Sequence, residues 1–258
     1  MKTETWSYQR LAKDVSEYAV RMGLSANNLF RESRESLPQK LVIVMSRKDF
    51  LRTGAEVDSF GNPELDVVMQ WGGKEEVERL KGLTELADGD WFIKSVYAWD
   101  GFIQPSPTFL SFSPVEQVEY ALHEAYHQTK KDLFARSDEE PHACVVGHLG
   151  AIDFFRGTNL EKVARSHWQR VLTFSKQAHD YYWNLFDLYK SENTREYKTA
   201  ERERILSRAR EEIGTSWGTP INNAFFVYWN HFYGGVKRSY GFVEQMKDFK
   251  SVVRRLTL

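Results

Sequence analysis

One pentapeptide, His123-Glu124-Ala125-Tyr126-His127, has the residue types and spacing of a metal-activated hydrolytic site. On a helix, positions i and i+4 share a face, so both imidazoles can hold one tetrahedral ion, with Glu124 beside them in reach of a metal-bound water. The chemistry this suits is hydrolysis, in which the ion polarises a carbonyl and Glu124 serves as general base and then acid. The plain alternative is two half-exposed histidines on an amphipathic helix, with Glu124 in water.

A catalytic zinc requires a third protein ligand and an open position. Downstream, Glu139, Glu140, His142 and His148 supply the right atoms. Ser137 followed three residues later by Glu140 also fits a capping box, which gives Glu140 an ordinary role. Against that, Glu140, Ala143, Gly147 and Gly150 or Ala151 fall on one helical stripe, and every residue after the acid is small. A stripe of this kind lets two helices approach closely, which sets Glu140 against the face bearing His123 and His127. The spacing favours Glu140 as third ligand and leaves His142, His148 and Glu139 as alternatives. His148 reads more naturally as a supporting or core histidine.

The elements that position these residues follow from periodicity. Val115, Val118, Leu122, Ala125 and Thr129 step by three or four, so the pentapeptide lies in a helix that starts near Pro114. Further helices are predicted over 6–22, with Gly23 as a stop, and over 140–156, 160–190, 195–213, 220–233 and 242–256. The first hundred residues read differently. Leu41–Met45, Leu65–Trp71 and Trp91–Trp99 are short, β-branched or aromatic runs that predict strands. Turns are expected at 60–63 and 88–90, with a helix between Lys74 and Leu86. The stretch from Ser191 to Gly214 holds six basic and six acidic residues, the pattern of a solvated helix face laced with ion pairs.

Composition bounds the partners. The 258 residues carry 35 basic and 36 acidic side chains, so no polyelectrolyte attraction to nucleic acid is expected. The longest clean aliphatic run, Leu41–Met45, is far short of the roughly 20 residues a membrane span needs, so no membrane partner is expected either. The opening MKTETWSYQR lacks an apolar core and predicts no secretion signal. A single cysteine, Cys144, excludes an internal disulfide framework and suits the cytoplasm.

The zinc block resembles the bacterial gluzincin-type (HExxH) aminopeptidase family, whose hallmark is a His-Glu-x-x-His-Gln helix followed by a glutamate-bearing helix. Here it reads HEAYHQ, then EPHACVVGHLGA, with Glu140, Ala143, Val146, Gly147, Gly150 and Ala151 in matching places. Upstream, WGGKEEVERLKGL and VYAWDGF are similar to the family's aromatic-glycine segment and strand, with Tyr97 and Gly101 kept. Ala98, Trp99 and Asp100 depart from it. Downstream, PINNAFFVYWNHFY matches an Asn-Asn-Ala helix at Asn222, Asn223 and Ala224.

The resemblance implies one Zn2+ per chain, held by His123, His127 and Glu140, and a peptide or small amide as substrate. Tyr97 and Asp100 are the expected substrate-binding residues. Tyr233 is the expected donor to the oxyanion, with Tyr97, Tyr126 and Tyr228 as rivals; each is otherwise an ordinary packed aromatic. An exopeptidase also needs an acidic anchor for the free amine, and the Gly-x-Met-Glu-Asn motif that supplies it elsewhere is absent. Another amidase activity therefore stays open, as does a non-catalytic helical binding protein.

The expected fold is α+β and zincin-like: a small, mostly antiparallel N-terminal sheet with a predominantly helical C-terminal body. The chain is expected to form one domain over 1–258, with lobes at about 1–112 and 113–258, the strand at Trp91–Trp99 beside the metal helix and the site in the cleft between the lobes.

Overall fold

Side-chain oxygens mark where the long helices begin. Ser7 accepts the Arg10 N–H at the start of α1 (Tyr8–Met22), and Gly23, at φ 93°, closes that helix in the left-handed region. In the computed structural model the residues described are 7–30, 40–46, 67–72, 90–96, 98–99, 102–103, 105–130, 139–214 and 220–257. Strands β1 (Lys40–Ser46), β2 (Val67–Gly72), β3 (Asp90–Val96), β4 (Ala98–Trp99) and β5 (Phe102–Ile103) follow α1. The rest is helical: α2 (Pro107–Leu110), α3 (Pro114–Thr129), α4 (Glu139–Phe154), α5 (Leu160–Lys190), α6 (Arg195–Ile213), α7 (Asn223–Tyr233), α8 (Val236–Gly241) and α9 (Phe249–Thr257).

Two compact units divide the chain. The first takes 1–37, 97–172 and 236–258, the second 38–96 and 173–235, and α5 contributes to both. In the first unit, α3 begins at a reciprocal Ser113/Glu116 capping box with Pro114 in its first turn. It lies along α4, which also touches α8 and α9, while α1, β4 and β5 pack on α3. α4 is buried nearly all round, from Pro141 to Ile152, as its apolar composition requires. Tyr18 of α1 ties to it by a 2.7 Å hydrogen bond to Asp153, and its ring stacks on Phe249 of α9. The Tyr126 hydroxyl donates to the Leu256 carbonyl at 3.0 Å, hooking α9 to α3.

In the second unit the strands form an antiparallel ladder in the order β2-β1-β3, with Val44 opposite Met69 and Phe92. α7 packs on β1 and β3. Its core is aromatic, with Phe92, Phe174, Phe225, Phe226 and Trp229 all buried. Asn222 caps α7 by accepting the Phe225 N–H at 2.9 Å, so the helix starts at Asn223 and not at 220.

The expected α+β, zincin-like class is corrected. Helix makes up 127 of the 188 described residues, so the described part of the chain is mainly α-helical. The ladder β1–β3 packs on α7, while the metal-helix candidate α3 packs chiefly on α4 and, among the described strands, on the two-residue β4 and β5. The expected strand from Trp91 to Trp99 is two pieces, and β3 is the piece that joins the ladder. The physical reason is that α4 offers α3 a small-residue face, so helix covers the surface a sheet was expected to cover. The C-terminal expectation shifts as well: 242–248 are turns, and Asp248 caps α9 by accepting the Ser251 N–H at 2.9 Å. The expected helix over 74–86, the turn at 60–63 and residues 88–89 lie outside the described residues. Among those described, no helix is long and apolar enough to cross a membrane.

Candidate metal centre

Close approach of α3 and α4 begins at Gly147. A Cβ there would sit 2.5 Å from the Glu119 carbonyl oxygen and 3.4 Å from the His123 Cβ. Only a glycine lets the backbones come this near, which gives the small-residue stripe its function. One turn on, a Cβ at Gly150 would meet the side-chain tips of Leu122 at 2.5 Å and of Phe249 on α9 at 2.7 Å.

The approach brings His123, His127 and Glu140 together as a set that could hold an ion. Nε2 of His127 is 3.0 Å from Nε2 of His123. The Glu140 carboxylate lies 3.3 Å from His123 Nε2 through one oxygen and 3.4 Å from His127 Nε2 through the other. Metal bonds of about 2.0–2.2 Å place neighbouring donor atoms roughly 3.0–3.5 Å apart, so these separations match one shared ion. Glu140 Oε2 is buried and receives no hydrogen bond, which leaves a lone pair directed at the set. The donor types and that orphaned oxygen fit zinc.

Glu139 fixes the tautomer. Its carboxylate lies 2.8 Å from Nδ1 of His127, which therefore donates its N–H there and leaves Nε2 free to ligate. Burial alone would lower the His127 pKa, but Glu140, Glu139 and Glu124 outweigh it and hold it well above the usual value. Burial would likewise raise Glu140, yet His127 and His123 keep its carboxyl well below the usual range. Glu124 is 5% exposed on the same helix, close enough to act on His127.

The alternatives for a third ligand separate cleanly. Glu139 supports His127; His142 turns its Nδ1 toward the Tyr126 hydroxyl at 3.4 Å; His148 pairs with Glu119. Tyr126 is engaged by Leu256. Tyr233 ends α7 in the second unit, where its ring packs on Phe174 and Trp229 and its carbonyl accepts from Ser175 at 2.8 Å. Tyr228 packs on Phe92 in the same unit. These are the contacts of ordinary packed aromatics. Asn222 and Asn223 have structural roles: the first is the α7 cap, and the second donates its N–H to Asp90 at 2.9 Å. Tyr97, Asp100 and Ser137 lie outside the described residues.

Two residues went unnoticed in the sequence. Glu119, one turn before His123, and His167 on α5 form a second cluster with His148. The first was readable, because it shares the i, i+4 stripe with both motif histidines. No local signal marks His167.

Comparison with protein-family models, with curated proteins and with solved structures returns no match.

Proposed function

We propose that the chain is a zinc-dependent hydrolase of peptide or related amide bonds, aminopeptidase-like in its motif and acting in the cytoplasm. One observation carries the reading: the Nε2 atoms of His123 and His127 lie 3.0 Å apart, each faces a different oxygen of Glu140 at 3.3 and 3.4 Å, and Glu124 is buried on the same helix. Zinc bound there supplies Lewis acidity, bringing the pKa of a bound water down toward ~7 and polarising the scissile carbonyl. Glu124 takes the proton from the attacking water and returns it to the leaving amine. Glu139 holds the His127 ring in its ligating orientation. Cys144, buried and free, suits a reducing compartment.

The test pairs metal content with turnover. Purified protein should hold zinc at this set and hydrolyse members of a broad panel of peptides and amides. Glu124→Gln should lose about 10²–10⁴-fold in rate while keeping the zinc. Folded protein that takes up no zinc, or full activity in Glu124→Gln, overturns the proposal. Zinc-loaded protein inert to the whole panel would favour the binding-protein alternative.

A further inference from the structure

A second cluster lies along the same seam. Glu119 of α3, His148 of α4 and His167 of α5 bring their ligand atoms within 4.8 Å of one another, all in the first unit. Nδ1 of His167 is 2.7 Å from Glu119 Oε2, and Nδ1 of His148 is 2.9 Å from Glu119 Oε1. The two contacts differ in geometry. His167 Nδ1 is hydrogen-bonded to Glu119 Oε1 at 2.9 Å, whereas buried His148 Nδ1 approaches the same oxygen as an ion pair without hydrogen-bond alignment, so two imidazoles converge on one carboxylate. The His148 side chain is 8% exposed, so water does not compensate.

We propose that Glu119, His148 and His167 form a second binding site for a first-row divalent cation, separate from the one at His123, His127 and Glu140. Two imidazoles and one carboxylate suit zinc, iron(II) or cobalt(II). The Glu119 carboxylate lies within 2.9 Å of both imidazoles, at the meeting point of the cluster. The Trp168 ring stacks on His148 with centroids 5.3 Å apart and an angle of 29°, fixing the imidazole plane. The His167 side chain, 25% exposed, gives an ion a way in. Each ligand comes from a different helix, so a cation here cross-links α3, α4 and α5. The site goes beyond the proposed hydrolytic centre and does not depend on it, since no residue is shared.

The experiment is zinc titration of chelator-stripped protein, with bound metal counted after dialysis, in wild type and three single variants. His167→Asn alters a partly exposed ring and should lose one equivalent of zinc relative to wild type. His123→Asn should lose a different equivalent and retain the one His167→Asn lacks. Glu119→Gln, checked for native helicity by circular dichroism, should repeat the His167→Asn result. Cobalt(II) absorption should show the same division. A His167→Asn protein that binds as much zinc as wild type, at the same affinity, overturns the proposal whatever His123→Asn does. Loss in His167→Asn with no change in His123→Asn keeps this site and removes the other.

Discussion

Asp90 in the second unit and Glu140 in the first are both carboxylates inside helical protein, and their surroundings differ in kind. One oxygen of Asp90 takes the Arg202 guanidinium and the Asn223 N–H, and Tyr189 closes the group with a 3.0 Å hydrogen bond to Asn223. Anion, cation and donors all come from the chain. Glu140 instead faces two imidazoles, with one oxygen that receives no hydrogen bond. Eight residues on along α4, His148 repeats the pattern beside Glu119. A buried charge matched by a guanidinium and backbone donors stabilises the fold; imidazoles converging on a carboxylate also offer the donor types that a metal ion takes. The comparison separates a structural polar cluster from a candidate site without reference to any motif.

Three substitutions probe this contrast between the two carboxylates. Arg202→Met strips Asp90 of its counter-charge and should cost about 3–5 kcal/mol in stability. Zinc stoichiometry of the variant, read below its lowered melting temperature, should be unchanged. Loss of zinc there would mean that the polar groups of the two units are energetically coupled. Gly147→Ala attacks the seam, since its Cβ would meet backbone and not a yielding side chain. The expected cost is about 1–3 kcal/mol, seen in denaturant unfolding, with weakened zinc binding because α3 and α4 are forced apart. Wild-type zinc affinity in the Gly147→Ala variant would show that the donor set does not need the close approach. Glu139→Ala is the mildest. It removes the acceptor behind His127 and should weaken zinc binding about 10–100-fold by competition against a chelating dye, while Glu139→Gln, which can still accept, should weaken it less.

Local signals made much of this legible in the sequence. Helices at 160–190 and 195–213 match the expected bounds, because periodicity and end residues are properties of a few adjacent turns. The charge-mixed stretch is the expected helix laced with ion pairs, such as Arg208 with Glu212. Arg202 departs from it by turning inward to Asp90. His123 and His127 were visible because i, i+4 neighbours are fixed by helix geometry, and the glycine stripe pointed to Glu140. The fold class was not legible. Three runs with strand character say nothing about which surface they cover, and only long-range packing shows that α3 lies mainly along α4, with the two-residue strands β4 and β5 also against it. His167 was hidden for the same reason, 48 residues from the glutamate it meets.

Cys144 sits on α4 midway between Glu140 and His148, buried on every side. Burial, Glu119 and Glu140 all push its thiol pKa well above the usual value, so in the closed protein it is a poor nucleophile. It is also the chain's one cysteine. A thiol reagent therefore reacts when the packing around α4 opens, and its labelling rate becomes a clock for that opening. The protein carries its own reporter of breathing at the place where its ligands meet, and no label has to be engineered.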